Sequence, residues 1–195
     1  MDETGDTGGT RDRILAVGLH FFSRRGYESA GVQEIAGEAG ITKPTLYYYF
    51  GSKQGLLEAI LSRYGAALIE LFRKAGEYRH DLGANLTDLF QDTLDYALDH
   101  EDFFRLIRAL FSAAPETASY TTGRGLRREL ITLLERLFAE AAGDHGNMKN
   151  RQMVYAETFM GLLETWALNA VNGEMRITNQ LRYRIIHNYM HGIFS

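Results

Sequence analysis

Hydroxyl, phenol and ammonium groups are concentrated between residues 42 and 53. A Thr-Lys-Pro-Thr run occupies residues 42–45, three consecutive tyrosines occupy residues 47–49, and Lys53 follows. Such side chains bind phosphate oxygens and base edges of a nucleic-acid duplex, and a proline ring can contact thymine methyl groups. The candidate contact residues are Thr42, Lys43, Pro44, Thr45, Tyr47, Tyr48, Tyr49 and Lys53.

Most of these residues fall in the second of two short predicted helices. The first helix carries an apolar stripe at positions i, i+3, i+4 and i+7 counted from Val32, and Gly40 ends it. Thr42 is suited to cap the second helix, Pro44 is tolerated in its first turn, and Gly51 ends it. Two short helices joined by a glycine-containing turn predict a helix-turn-helix.

The three tyrosines cannot all face one core, because successive side chains of a helix point about 100° apart. On a helical wheel Leu46 and Phe50 share the inner face, whereas Tyr47 and Tyr48 lie on the far side. Tyr49 lies on the flank. We therefore expect at least two phenols to face outward, beside the threonine, lysine and proline of the same helix.

Lys53 lies in the first turn of the next predicted helix, which Ser52 can cap. A cation at this position opposes the helix dipole, typically by a few tenths of a kcal/mol. The same helix start offers free N–H groups that bind phosphate, and a bound anion would turn the lysine into a favourable residue. This position agrees with a surface that contacts a nucleic-acid backbone.

Charge and composition set limits on such binding. The chain has 195 residues and a net charge of −4, but residues 10–55 contain six basic and four acidic residues. Binding to DNA must therefore be local and oriented. The chain has no cysteine, no run that resembles a membrane span, and an acidic, glycine-rich start at residues 1–9 that predicts a disordered tail. We expect a soluble, cytoplasmic protein without membrane contact.

Apolar residues recur at helical spacing along almost the whole chain, and no convincing strand pattern occurs. This spacing predicts an all-α fold of about nine helices. The segment at residues 112–125, around Pro115, predicts a flexible connection, and a helix is expected from about Leu126.

Catalytic patterns do not emerge from the sequence. It contains no Ser-His-Asp grouping, glycine-rich phosphate loop or HExxH motif, so we expect neither an enzyme nor a bound cofactor. His187 and His191 are spaced i, i+4 and could share a metal ion, but no further ligand is evident, and a metal site is not predicted.

The stretch GITKPTLYYYFGSKQGLL at residues 40–57 carries a family resemblance. Together with VQEIAGEA before it and the preceding helix ending FFSRRGYES, it resembles the DNA-binding domain of the TetR family of bacterial transcriptional regulators. The resemblance is strong over residues 11–61 and is one of layout beyond them. It implies a homodimeric, all-helical repressor whose third helix enters the major groove.

The resemblance also implies individual roles. Lys43 and Pro44 occupy positions that contact bases in the family. Thr45, Tyr47 and Lys53 occupy positions that contact phosphates, and Tyr49 occupies a position near the DNA backbone.

The chain departs from the family pattern in two places. The family usually begins its second helix with threonine or serine, where this chain has Ala30 and Gly31. It often has glutamate after the lysine of the fourth helix, where this chain has Gln54 and Gly55.

The expected domains are a DNA-binding domain at residues 10–55 and an effector-binding and dimerisation domain at residues 56–195. An unusually dense set of aromatic residues in the second domain suggests either an ordinary helical core or a pocket for an apolar or aromatic effector. The candidate pocket residues are Phe72, Tyr96, Phe103, Phe104, Phe111, Tyr155, Phe159 and Trp166.

The helix at about residues 149–172 is apolar over much of its circumference and therefore needs cover on two sides. One cover can be the chain's own core and the other a second copy of the chain, although a fully intrachain core remains the alternative. The candidate interface residues are Met153, Met160, Ala167, Ile186, Tyr189, Met190 and Ile193.

These features together predict a ligand-responsive, DNA-binding repressor that binds a pseudo-palindromic operator as a homodimer. Two alternatives remain open. The helix-turn-helix could serve as a structural module in a small-molecule-binding protein or enzyme, or the chain could be an activator or a regulator controlled by a protein partner.

Overall fold

The structure is a computed structural model that describes residues 7–145 and 148–192. These residues contain α-helices and no strand, so the predicted all-α fold is confirmed. The nine described helices are α1 (Thr7–Arg25), α2 (Val32–Glu38), α3 (Lys43–Phe50), α4 (Lys53–Ala75), α5 (Leu82–Asp99), α6 (Glu101–Phe111), α7 (Ala118–Ala141), α8 (Gln152–Val171) and α9 (Asn179–His191). None of them is both long enough and apolar enough to cross a membrane.

Helix α1 begins at Thr7, three residues earlier than the predicted cap at Thr10. Residues 7–9 of the predicted disordered tail are therefore helical, while residues 1–6 lie outside the described residues. Glycine in a helix costs only about 1 kcal/mol relative to alanine, so the stable helix that follows can extend over Gly8 and Gly9.

Helix α7 begins at Ala118, eight residues before the predicted start at Leu126. The prediction of a flexible connection is therefore wrong for residues 118–125. The Tyr120 N–H donates to Thr117 Oγ1 at 3.2 Å and supports the first turn. A Cβ at Gly123 would lie 2.6 Å from Leu110 Cβ, so this glycine lets α7 approach α6 closely.

The helices form two compact units. The first comprises residues up to Ala66 together with Asp102–Leu126. Its core is built from the inner faces of α1, α2, α3, α6 and the first half of α4. Fully buried side chains there include Ile14, Leu15, Phe22, Ile35, Ala36, Leu46, Leu56, Leu57, Ile60, Phe103 and Leu106.

The second unit comprises Ala67–Glu101 and the residues from Arg127 onward, and in it α5 packs against α8 and α9. Its buried side chains include Leu86, Leu89, Phe90, Leu130, Leu134, Leu137, Phe138, Ala156, Phe159 and Ala167. The predicted domain boundary at residue 55 remains a prediction.

A buried asparagine fixes the connection between α4 and α5. Asn85 Nδ2 donates to the carbonyl oxygens of Ala75 and Glu77, each at 2.8 Å, and its Oδ1 accepts from the Arg79 N–H at 3.1 Å. The side chain is fully buried. All polar atoms of the amide therefore have partners, as burial requires.

The connection between α3 and α4 depends on a residue without a side chain. Ser52 Oγ accepts from the Gly55 N–H at 2.9 Å and caps the start of α4. The Phe50 carbonyl oxygen lies against Gly55 so closely that a Cβ at this position would overlap it. Glycine at residue 55 therefore permits the close approach of the two helices.

We expect Gly55→Ala to lower the free energy of unfolding by about 1–3 kcal/mol, because the new methyl group must displace the Phe50 backbone. Gly37→Ala is the matched control: Gly37 is an exposed helical glycine of α2, and a Cβ there meets no atom within 4 Å. That substitution should stabilise the protein by about 0.5–1 kcal/mol. Urea unfolding followed by circular dichroism measures both, and equal stability of the two variants would contradict the packing argument.

Candidate nucleic-acid interface

Helix α3 is capped at both ends by its own sequence. The Thr45 N–H donates to Thr42 Oγ1 at 3.3 Å, and the hydroxyl oxygens of these two threonines lie 2.8 Å apart. Gly51 ends the helix with φ of 71°, a conformation that favours glycine, and its N–H donates to the Tyr47 carbonyl oxygen at 2.8 Å. The helix start and stop predicted from the sequence are present.

The side chains of α3 divide between a buried and an exposed face. Leu46 is fully buried, whereas Tyr48 is 84% exposed and Tyr47 is 38% exposed. Phe50 and Tyr49 are half-buried. Five of the predicted DNA-contact residues lie at the surface: Thr42, Lys43, Pro44, Tyr47 and Tyr48. Thr45 is half-buried.

Contacts between these side chains hold part of the exposed face in place. Lys43 Nζ lies 5.6 Å from the centroid of the Tyr47 ring, within the range of a cation–π contact. The rings of Tyr48 and Tyr49 meet edge to face with centroids 5.5 Å apart. The phenols therefore present an aromatic surface beside a lysine.

Lys53 is more enclosed than the residues of α3. Its Nζ donates to the Glu28 carbonyl oxygen at 3.0 Å and lies 4.6 Å from the centroid of the Tyr27 ring. Burial lowers the pKa of Lys53, and the nearby Glu28 carboxylate partly opposes this change. Burial likewise raises the pKa of Tyr27, with a further contribution from Glu28. The lysine thus joins the start of α4 to the turn between α1 and α2.

Glu28 also contacts α7. Its Oε1 accepts a hydrogen bond from Ser119 Oγ at 3.1 Å, in addition to the bond between its carbonyl oxygen and Lys53. One residue of the α1–α2 turn is therefore bonded to the first turns of both α4 and α7. No motif in the sequence pointed to this contact.

Helix α2 begins after Gly31, and no side chain caps it. Glu34, in its first turn, instead accepts a hydrogen bond from Arg25 Nη1 at 2.8 Å. The hydroxyl that the TetR family usually places at the start of this helix is absent from the sequence, so any phosphate contact there would have to come from backbone N–H groups.

The predicted effector residues do not form one cluster within a unit. Phe103, Phe104 and Phe111 belong to the first unit. The second unit holds the other five, Phe72, Tyr96, Tyr155, Phe159 and Trp166. Phe111, Tyr155 and Trp166 are half-buried, and the remaining members of the set are buried.

A cavity of about 320 Å³ lies in the second unit, and Tyr155 is on its wall. Phe138, whose ring centroid lies 5.6 Å from that of Tyr155, lines it as well. The full set of lining residues is Leu82, Leu86, Phe138, His145, Met148, Tyr155, Tyr189, Met190 and His191. Phe138 could not be predicted as a cavity residue, because nothing in the sequence distinguishes an apolar residue that lines a cavity from one that packs in the core.

The predicted interface residues fall into two groups. Met160, Ala167 and Ile186 are buried within the second unit, whereas Met153 and Met190 are 63% and 41% exposed. Tyr189 is partly buried and its hydroxyl donates to the Tyr155 carbonyl oxygen at 2.8 Å. Burial strongly raises the pKa of this phenol. Ile193 lies outside the described residues.

Another face of α8 is exposed along its length. It carries Val154, Thr158, Gly161 and Thr165, which follow each other at spacings of three and four residues. The exposed apolar side chain of Tyr183 lies on α9.

The two histidines considered as metal ligands are adjacent on α9. The rings of His187 and His191 lie with centroids 4.6 Å apart. Within residues 7–145 and 148–192, no group of three or more acidic or histidine side chains is arranged to hold a metal ion.

Comparison with known proteins gives a family match over the helix-turn-helix and relatives that match about half of the chain. Residues 14–60 match the family model described as bacterial regulatory proteins, tetR family. The chain is 34% identical over 97 residues to FasR, an HTH-type transcriptional activator of Mycolicibacterium smegmatis, covering 50% of this chain and 44% of FasR. It is 33% identical over 85 residues to KstR2, an HTH-type transcriptional repressor of Rhodococcus jostii, covering 44% and 39% of the two chains.

The fold also matches solved structures over almost its whole length. FadR of Bacillus subtilis, a transcriptional regulator solved in complex with stearoyl-CoA, aligns with a TM-score of 0.76 over 93% of this chain and 98% of FadR. Their identity is 14%, so this match shows the fold alone. The chain spans less than half the length of FasR and KstR2, and both of these relatives are transcriptional regulators. The resemblance to the tetR family of bacterial regulatory proteins is therefore confirmed over residues 14–60, and the fold agrees with it.

Proposed function

We propose that the protein is a DNA-binding transcriptional regulator that inserts α3 into the major groove of an operator. The observation that carries this proposal is the exposed face of α3, where Tyr48 is 84% exposed although its neighbour Leu46 is fully buried. A purely structural helix-turn-helix has no need of an exposed phenol beside an exposed lysine and proline. Base edges and thymine methyl groups offer partners for such a surface.

The proposed roles follow from position. Lys43 and Pro44, in the first turn of α3, contact base edges. Thr45 and the phenols of residues 47–49 contact phosphate oxygens and the groove wall, which fixes the orientation of the helix. The resemblance to the family supports these assignments position by position.

Lys53 can contact a phosphate while it keeps its bond to Glu28. An ammonium group has three N–H donors, and the Glu28 carbonyl oxygen accepts one of them. The free N–H groups at the start of α4 add partial positive charge at the same place. We therefore retain Lys53 as a phosphate contact and assign it a second role, in which it positions the α1–α2 turn.

We infer that the protein acts as a homodimer and that α8 supplies much of the interface. The exposed face at Val154, Thr158, Gly161 and Thr165 fits a second copy better than the buried residues Met160 and Ala167 do. An isologous dimer presents two copies of α3, which matches a pseudo-palindromic operator with half-sites about 34 Å apart.

The regulator is proposed to respond to an apolar or aromatic effector and to act as a repressor in the cytoplasm. The cavity of about 320 Å³ in the second unit supports this, because its wall is mostly apolar and its volume is at the small end of ligand pockets. An effector changes operator affinity only if it binds one conformation more tightly than the other. Repression requires only occupation of the operator, which makes it the simpler mode of action.

The first test is selection of duplexes from a random pool by the full-length protein. We expect enrichment of a symmetric sequence bound by two chains. Tyr47→Phe removes one hydroxyl while keeping the ring next to Lys43, and should weaken binding about 5- to 10-fold through loss of a hydrogen bond to phosphate. Tyr183→Phe, which alters another exposed tyrosine on α9, should bind normally. Failure to enrich any sequence at any salt concentration would overturn the proposed function.

The second test concerns the dimer. Thr158→Arg places a large cation on the exposed face of α8, so it should shift the protein from dimer to monomer in sedimentation equilibrium. Thr132→Arg is the matched control, because both are exposed helical threonines whose hydroxyls donate to the carbonyl oxygen four residues earlier. A Thr158→Arg variant that stays as dimeric as the control would exclude this face.

The third test concerns the effector. Decanoyl-CoA and stearoyl-CoA are suitable first probes, since FadR of Bacillus subtilis was solved with stearoyl-CoA. We expect at least one of them to raise the Tm and to weaken operator binding, whereas free coenzyme A should do neither. Tyr155→Ala should reduce both effects, and Tyr78→Ala, a change outside the cavity wall, should not. If neither acyl compound affects operator binding, acyl chains are excluded as the effector class.

A further inference from the structure

Six basic side chains lie between residues 7 and 55, and four of them are hydrogen-bonded within the protein. The four bonds are Arg13 Nε to the Ala39 carbonyl oxygen at 2.9 Å, Arg24 Nε to Asp102 Oδ1 at 3.2 Å, Arg25 Nη1 to Glu34 Oε1 at 2.8 Å, and Lys53 Nζ to the Glu28 carbonyl oxygen at 3.0 Å. Two of these cations, Arg24 and Arg25, are paired with carboxylates and so are largely neutralised.

The other two cations, Arg11 and Lys43, lie near opposite ends of α3, and each contacts an aromatic ring. Lys43 Nζ lies 5.6 Å from the centroid of Tyr47, and Arg11 Cζ lies 5.5 Å from the centroid of Phe50. Both side chains are exposed, and neither forms an ion pair with a residue that the structure describes. Their positive charges therefore remain available to an external anion.

The length of α3 is close to the width of the major groove of B-DNA. Its eight residues span about 12 Å, at a rise of about 1.5 Å per residue. The major groove of B-DNA is about 12 Å wide and is bounded on both sides by phosphates. With the first turn of α3 at base edges, as proposed above, the other end of so short a helix lies towards one of the phosphate strands that bound the groove. Lys43 is the first residue of α3, and Arg11 lies beside its last residue, Phe50.

Arginine is well suited to such a position. Its planar guanidinium group has five N–H donors and binds phosphate through two parallel hydrogen bonds. The Phe50 ring below the guanidinium restricts its rotamers without using its in-plane donors. The side chain is thereby held ready for a phosphate.

We propose that Arg11 contacts a DNA phosphate and that α1 thus contributes to the operator interface. The inference rests on the proposed DNA-binding function and extends the interface to a helix outside the helix-turn-helix. Because a phosphate contact carries no sequence information, Arg11 contributes affinity and orientation and does not select bases.

The test compares Arg11→Ala with Arg25→Ala in the full-length protein. Arg25 is the matched control, since it also lies on α1 above a phenylalanine, with its Cζ 4.8 Å from the Phe21 ring centroid, but is paired with Glu34. Binding to the duplex selected by the unchanged protein, and to a random duplex of equal length, is measured by fluorescence anisotropy between 50 and 200 mM salt, roughly the range over which phosphate contacts are resolved.

We expect Arg11→Ala to reduce the slope of log affinity against log salt by about two units, since each phosphate contact contributes about 0.9 and a dimer loses two. Affinity should fall by a similar factor, about tenfold or more, on both duplexes. Arg11→Lys should keep most of the slope because it keeps the charge. Arg25→Ala should keep the slope of the unchanged protein.

Two results would overturn the inference alone. One is an Arg11→Ala variant with an unchanged slope, even if its Tm falls, because that pattern is the one expected of a purely structural contact with Phe50. The other is an equal loss of slope in Arg25→Ala. If the unchanged protein selects no duplex, the proposed function fails and the inference fails with it.

Discussion

A single fully buried side chain, Leu46, anchors the eight-residue helix that faces the proposed operator. A helix of two turns has little surface to bury, and isolated helices of this length are not stable in water. Its further support comes from the half-buried Tyr49 and Phe50, from the hydroxyl of Thr42 at its start and from the left-handed Gly51 at its end. Because folding makes so few demands on the other side chains, Lys43, Tyr47 and Tyr48 remain exposed and are available for the proposed recognition of DNA.

Most of the structure of α3, namely its two ends and its exposed face, could be predicted from the sequence. Threonine before Lys43-Pro44 and glycine after Phe50 specify a short capped helix, and the apolar stripes of the longer helices specify which sides are covered. The outward position of the phenols followed from helical periodicity alone. The start of α9 was predictable from a capping residue, as in α3, because Thr178 precedes the helix and accepts a hydrogen bond from the Leu181 N–H at 3.2 Å.

Features that depend on tertiary packing could not be predicted. Residues 118–125 have a loop-like composition, yet they are helical because Gly123 allows contact with Leu110. Helix α8 is apolar over much of its circumference, so the sequence alone did not determine which side would be exposed. The structure buries Met160 and exposes Thr158. The enclosure of Lys53 depends on the Glu28 carbonyl oxygen, and a backbone acceptor leaves no sequence motif.

The close approach at Gly55 bears on how such a protein can evolve. The angle between α3 and α4 is set by a backbone oxygen resting on a residue that has no side chain. The outward residues of α3 take no part in setting it. If these residues contact the operator as proposed, substitutions among them would change operator preference without changing the angle between α3 and α4. New regulatory targets would then arise by single substitutions that leave the fold intact.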